Sequence, residues 1–156
     1  MRLVIAAVGR LGRGPEADLV ADYCARARAT GRPLGLAGPD IAEIDERKAR
    51  DPAAQADRLG AAVPTGAAIL ALDQRGRALT SEAFAEMLGR LRDTGTPKAC
   101  FLIGGADGLA PGLRDRADGL IAFGPMVWPH RLVRVMLAEQ IYRAVSILAG
   151  GPYHRA

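Results

Sequence analysis

The chain has 156 residues, of which 49% are hydrophobic and 24% charged, a balance that excludes disordered and fibrous proteins and predicts one globular domain over residues 1–156. Its first apolar run, at 3–8, is too short for a signal sequence or a membrane span. We therefore expect a soluble, cytoplasmic protein with no membrane partner.

The net charge is +4, and most of it lies near the end of the chain. From residue 119 onward there is one acid, Glu139, against four arginines: Arg131, Arg134, Arg143 and Arg155. A basic C-terminal face of this kind suits a polyanion such as a nucleic acid. Arginines scattered through an arginine-rich chain would have no such meaning, and the charge alone leaves both interpretations open.

The two cysteines, Cys24 and Cys100, lie far apart in the sequence and match no metal-binding spacing. This arrangement predicts two reduced core residues. The two histidines, His130 and His154, stand alone, so we expect no metal site.

Hydrophobic periodicity and turn residues predict the elements of the first half of the chain. Pro15 opens the first helix, and Gly31 follows its last turn. The predicted elements are a buried strand over 2–8, a helix over 15–31, a weak strand within 34–45 that is interrupted at Gly38-Pro39, and a helix over 52–62.

The second half continues the alternation. Thr80 or Ser81 caps a helix with Phe84, Met87, Leu88 and Leu91 on one face. The predicted elements are a strand over 67–73, a turn at 74–77, helix 81–95, strand 98–105, a short helix within 109–118, strand 119–124 and a long helix over 129–150. Regular alternation of this kind predicts an α/β fold with a mostly parallel sheet flanked by helices.

Ligands of such sheets bind beyond the carboxyl ends of the strands, so these junctions are the candidate sites. The first strand runs into GRLGRG at 9–14, which invites comparison with a dinucleotide loop. Its glycines follow GxxGxG and not GxGxxG, and no acid closes a clear second strand. A loop that needs glycines for its backbone shape is the favoured interpretation.

Two further junctions are richer in features. IGGADG at 103–108 places adjacent glycines at a strand end, where a ligand can touch the backbone and Asp107 can accept a hydrogen bond. GPMVWPH at 124–130 is a stiff apolar loop, because each proline lacks an N–H and restricts its neighbour. Such a loop suits an adenine ring, although Trp128 would equally fill a core, and 103–108 would equally be an ordinary turn.

Four motifs in the same order carry a resemblance to a known family. They are LIGGADG, the two-proline loop ending in PH, LVRVMLAEQIYRA and the terminal PYHR, with supporting matches at RLVIAAVGR and ALD. Together they resemble the RlmH family, SPOUT-class methyltransferases that methylate N3 of a pseudouridine in large-subunit ribosomal RNA. The similarity is dense from Phe101 to Arg155 and poor over 30–54. Asp107 departs from the glutamate that relatives often carry.

The resemblance implies properties that periodicity alone does not. It implies S-adenosylmethionine as cofactor, ribosomal RNA or the ribosome as partner, a homodimer, no metal, and a C-terminal trefoil knot, which is a rare exception among folds. By position, the implied cofactor-binding residues are Leu72, Gly105, Gly124, Pro125, Met126, Val127, Trp128 and Pro129.

The tail after the Gly150-Gly151 stop is the predicted catalytic segment. We expect His154 to take the proton from the imide, Arg155 to bind phosphate or steady the anion, and Tyr153 to stack on a base or orient the tail. Because the longest helix is the expected dimer element, the tail would complete the partner's site. The competing hypothesis is a non-catalytic ribosome-associated RNA-binding protein on the same fold.

Overall fold

Strands and helices alternate from end to end of the computed structural model, which describes residues 1–49 and 51–154. Short 3-10 turns lie at Arg32–Leu34, Glu46–Lys48 and Pro152–His154. The strands and helices are β1 (Arg2–Val8), α1 (Pro15–Gly31), β2 (Ala37–Ile44), α2 (Pro52–Ala61), β3 (Ala67–Ala78), α3 (Ser81–Asp93), β4 (Lys98–Ile103), α4 (Pro111–Asp115), β5 (Gly119–Ala122) and α5 (His130–Leu148).

The five strands form one parallel sheet in the order β2-β1-β4-β3-β5. Its middle strands are apolar on both faces: residues 3–8 of β1 and 99–103 of β4 are all buried. Helices therefore cover both faces, as a parallel sheet requires. The predicted α/β class is confirmed. The trefoil knot stays a prediction, because strand order alone does not establish threading.

Helices α1, α3 and α5 cover one face of the sheet, and α2 and α4 cover the other. The first core includes Phe101 of the sheet, Phe84 of α3 and Ile141 of α5, while the second joins Leu59 of α2 to Leu113 of α4. Among the described residues, no helix is both long enough and apolar enough to cross a bilayer.

The predicted helix signals are confirmed where side-chain contacts can be seen. Thr80 accepts a hydrogen bond from the backbone N–H of Ala83 at 3.1 Å and so caps α3. Phe84 and Leu88 are buried on the predicted face. Cys24 and Cys100 are free and buried, as expected, and burial raises the pKa of each thiol to about 11.

Two predictions about the strands were wrong. The turn at 74–77 is part of β3, because Arg77 and Ala78 pair with β5 after a register shift that follows Leu72. The weak, interrupted strand is a continuous β2, which keeps its pairing with β1 through a register shift opposite the cis Gly38-Pro39 bond. A local pattern of turn residues does not report pairing with a distant strand.

Several predicted ends also lie too far along the chain. β4 and β5 end at Ile103 and Ala122, where the chain leaves the sheet before its glycines. The helices that are shorter than predicted are α2, α3, α4 and α5, whose bounds are given above. Helix ends of this kind fray by a residue or two and move no side chain of the site.

Candidate cofactor cleft and active site

The carboxyl ends of β4 and β5 and the middle of β3, at residues 72–75, border one cleft of about 940 Å³, within the size range of small-molecule sites. The structure gathers at this cleft three of the predicted junctions, which are far apart in the sequence. The predicted cofactor residues in its wall are Leu72, Gly105, Gly124, Met126, Val127, Trp128 and Pro129; Pro125 belongs to the same loop but not to the wall.

A tight turn after β4 forms the floor of the cleft. The backbone N–H of Gly108 donates to the carbonyl of Gly105 at 3.0 Å. A Cβ atom on Gly104 would overlap the carbonyl oxygen of Gly108, and one on Gly105 would lie 3.0 Å from Oε1 of Gln55. Gly104 therefore needs to be glycine, whereas a side chain at Gly105 would require Gln55 to move.

The two-proline loop forms the opposite wall. The indole N–H of Trp128 donates to the carbonyl of Phe123 at 3.2 Å and so closes the loop on itself. Met126 is 67% exposed and Val127 83% exposed. Large apolar side chains held open to solvent on a rigid loop mark a surface that a ligand or partner covers.

One ion pair lies in the cleft wall. The carboxylate of Asp73 accepts a hydrogen bond from the backbone N–H of Arg75 at 2.8 Å and lies 3.8 Å from Nη1 of Arg114. From the sequence, Asp73 is predictable only as the end of a strand, and nothing marks Arg114 as a site residue. No local pattern pairs these residues, because they meet only when β3 and α4 pack side by side.

His130 lies where the cleft meets the turn after β1. Its side chain is part of the cleft wall, and its Nε2 is 3.3 Å from the place where Gly9 would carry a Cβ. The carboxylate carbon of Glu46 lies 3.4 Å from the same point. Burial, and then the positive charge of Arg134, lower the pKa of His130. The imidazole is therefore neutral near pH 7.

We expect His130→Gln to flatten the pH dependence of stability below about pH 6.5. Because the pKa of His130 is lowered in the folded protein, the unfolded chain binds the proton first as the pH falls. The wild-type protein then loses free energy of unfolding from about pH 6.5 down to the native pKa, whereas the variant does not. Urea titrations across this pH range measure the free energy of unfolding of both proteins. Equal losses of that free energy in the two proteins would contradict a lowered pKa of His130.

Of the two interpretations of the C-terminal arginines, three of the four residues favour the second, because they are paired within the fold. Arg134 is only 1% exposed and donates to the carbonyls of Val8 and Gly9 at 2.5 and 2.7 Å. It also bonds Glu43 at 2.9 Å. The other two pairs are Arg131 with Glu16 and Arg143 with Glu139. Within the described chain these arginines hold the fold together, and their charge is compensated.

The described part of the tail packs back onto α5. The ring of Tyr153 lies 4.5 Å from that of Tyr142, and its hydroxyl donates to Glu139 at 3.2 Å. Burial raises the pKa of Tyr153, so its hydroxyl keeps its proton at neutral pH. The backbone of His154 closes a short 3-10 turn. Arg155 lies outside the described residues.

The tail and the cleft lie toward opposite ends of α5. Tyr153 reaches Glu139, which is about 14 Å along the helix axis from His130 at 1.5 Å per residue. The structure therefore brings the predicted cofactor residues together, but it does not bring Tyr153 to them within one chain. Among the described residues there is no group of three or more potential metal ligands.

A parallel sheet with a ligand-sized cleft bounded by a glycine turn and an apolar loop is typical of α/β enzymes that bind small molecules. Residues 1–154 match the family described as "Predicted SPOUT methyltransferase". The chain is also similar over its length to proteins named ribosomal RNA large subunit methyltransferase H. It is 59% identical to that of Cereibacter sphaeroides strain ATCC 17025 and 57% identical to that of Paracoccus denitrificans, over 99% of each chain. The chain therefore belongs to the RlmH family of SPOUT methyltransferases, as its motifs predict.

A third relative of the same name, from Hyphomonas neptunium, is 57% identical over 100% of both chains. The resemblance seen in the C-terminal motifs thus extends through the whole length. It includes the segment 30–54, where the motifs had matched poorly.

Proposed function

We propose that this protein transfers a methyl group from S-adenosylmethionine to N3 of a pseudouridine in the large-subunit (23S) ribosomal RNA of the assembled ribosome. The observation that carries the proposal is the cleft between the glycine turn and the exposed apolar loop. The relatives' names supply the substrate class. The same names support a cytoplasmic site of action, where ribosomes are found.

The wall of the cleft fits this cofactor. Met126 and Val127 offer an apolar surface for the adenine ring. Among the described residues, the backbone groups of 124–128 make no hydrogen bond and can bond the ring edge. Gly105 forms part of the cleft wall without a side chain of its own. When bound, S-adenosylmethionine supplies a methyl group on a positively charged sulfur. The residues that hold it are the eight predicted from the sequence.

The chemistry that the protein must assist is a displacement. If S-adenosylmethionine is held in the cleft by these residues, its sulfonium would supply the methyl group to N3 and would be left as a neutral thioether. The N3 proton must move to a base, because the imide lone pair is usable only once that proton is gone. Alignment of the two reactants supplies roughly 7–11 kcal/mol at best.

The tail provides the groups for this proton transfer. His154 accepts the proton, Arg155 binds phosphate or stabilises the anion that develops on a carbonyl oxygen, and Tyr153 stacks on a base or orients the tail. The raised pKa of Tyr153 supports an orienting role, because a hydroxyl that keeps its proton is no base. The packing of Tyr153 on Tyr142 and Arg143 supports a tail with a defined direction.

A homodimer would bring tail and cleft together. Within one chain Tyr153 is held against Glu139, well along α5 from the cleft. The exposed Leu19 of α1 and Leu132 of α5 lie on two helices that pack against each other, and a second copy would cover them. The tail of one subunit then completes the site of the other.

Removal of residues 153–156 tests the proposal. We expect methyl transfer to ribosomes that lack the modification to fall by at least about 100-fold, the usual contribution of a positioned base. Affinity for S-adenosylmethionine should be retained, since the cleft is intact. Mass analysis of the product nucleoside identifies the methylated atom.

Complementation is the matched control for the dimer. Mixing the tail-deleted protein with a full-length variant whose cleft is blocked at Gly105 should restore transfer, because one mixed dimer contains an intact cleft and an intact tail. Unchanged transfer after tail deletion would overturn the role of the tail. A wild-type protein that binds ribosomes but not S-adenosylmethionine would favour the non-catalytic alternative.

A further inference from the structure

The GRLGRG loop at 9–14 has no part in the cofactor cleft, yet the protein holds it rigidly. Leu11 is buried, its N–H donates to Oε1 of Glu43 at 2.9 Å, and its carbonyl accepts from Arg131 at 3.0 Å. The carbonyl of Gly9 accepts from the buried Arg134. The loop is thus fixed from inside by two arginines and a glutamate.

Because Leu11 is anchored in the core, the arginines on either side of it point into solvent. Arg10 and Arg13 flank the buried leucine and are exposed, with 62% of the Arg10 side chain open to solvent. The carboxylate closest to Arg10 is Asp45 at 3.8 Å, and that group already accepts three hydrogen bonds from Arg47, one from its backbone and two from its guanidinium. In the part of the chain that the structure describes, no acid lies within ion-pair distance of Arg13.

Part of the backbone of the loop is unavailable to a phosphate. Nucleotide-phosphate cradles present several free backbone N–H groups to the anion. Here the N–H of Gly9 is bonded to the carbonyl of Ile44 at 2.8 Å and that of Leu11 to Glu43. What the loop presents to solvent is a pair of guanidinium groups, which suit phosphodiester oxygens on the outside of a nucleic acid.

The loop also lies beside the cleft. It follows β1 at the same sheet edge as the cleft, and Gly9 adjoins His130 of the cleft wall. The turn after β2 adds no net charge to this edge, because Asp45 and Glu46 offset Arg47 and Lys48. A polyanion whose nucleotide enters the cleft would pass beside the loop.

We propose that Arg10 and Arg13 form an RNA-binding loop that contacts backbone phosphates beside the nucleotide to be methylated. This inference rests on the proposed function for the identity of the RNA. It assigns to the GRLGRG motif a role in substrate binding, separate from cofactor binding and from chemistry.

The test is the salt dependence of binding to ribosomes that lack the modification. Each phosphate contact contributes about 0.7–0.9 to the slope of log affinity against log salt, so Arg10→Ala/Arg13→Ala should reduce that slope by about 1.5. Affinity near 0.1 M salt should fall by on the order of 10-fold. Affinity for S-adenosylmethionine and the melting temperature should stay unchanged, because both side chains are exposed.

The matched control is Arg90→Ala/Arg116→Ala, which removes the same charge from exposed positions on α3 and after α4. Its slope should equal that of the wild type. Equal slopes in the two double variants would overturn the inference, and so would loss of S-adenosylmethionine binding in the loop variant. Absence of methyl transfer by the wild type would instead contradict the proposed function, since the slopes report binding alone.

Discussion

A protein with leucine in place of Gly105 folds but binds S-adenosylmethionine at least about 100-fold more weakly, a loss of about 2.8 kcal/mol. A Cβ at this position already lies 3.0 Å from Gln55 and 3.2 Å from Cγ1 of Val8. The remaining atoms of a leucine need space that these neighbours fill, so the turn has to shift, and with it the part of the cleft wall that Gly105 forms. Isothermal titration calorimetry measures the affinity, and circular dichroism the fold.

The neighbouring helix offers a matched control. Gly112 in α4 has open space around its Cβ position, so Gly112→Ala should leave binding unchanged. If the Gly105 variant bound S-adenosylmethionine normally, the cofactor would occupy another part of the molecule. A small nucleotide-binding enzyme that used the loop at 9–14 would behave in that way.

The second large effect is on stability. We expect Arg134→Met to lower the free energy of unfolding by about 3–5 kcal/mol, as removal of one partner from a buried ion pair commonly does. Methionine fills much of the space, but it leaves the carbonyls of Val8 and Gly9 without their donor and Glu43 without its cation. Urea-induced unfolding, followed by tryptophan fluorescence, measures this change in the free energy of unfolding.

Arg131→Met is the comparison for that experiment. Arg131 bonds Glu16 and the carbonyl of Leu11 but keeps more than a third of its side chain exposed. Its loss should therefore cost no more than about 1 kcal/mol. Equal losses in the two variants would show that burial does not strengthen the contacts of Arg134.

The order of the elements was predictable because each strand and helix carries its own pattern. Strands β1 and β4 are continuous apolar runs, and the helices start at prolines or capping residues. The extension of β3 was not predictable, because its outer part is held by pairing with β5, and residues 74–77 look locally like a turn. A short stretch of sequence does not indicate which distant strand it will pair with.

The site was predictable as a set of junctions but not as a cleft. The strand order places β4, β3 and β5 side by side, so their three junctions meet, whereas the junction after β1 lies beyond β4. The sequence alone does not show which strands are neighbours in the sheet, and so it does not show which junctions meet. The burial of Arg134 was hidden for a related reason: its partners lie on β1 and β2, and a helix pattern shows only that Arg131 and Arg134 are close.

The place of β1 in the sheet has a consequence for how the chain folds. β1 is made first, but one of its two partners, β4, begins only at Lys98, and α5 covers it last of all. This buried strand therefore stays without half of its hydrogen bonds until most of the chain has been synthesised. Contacts of such long range slow folding and leave apolar strands open to aggregation meanwhile. Refolding of the isolated chain should be correspondingly slow and dependent on protein concentration.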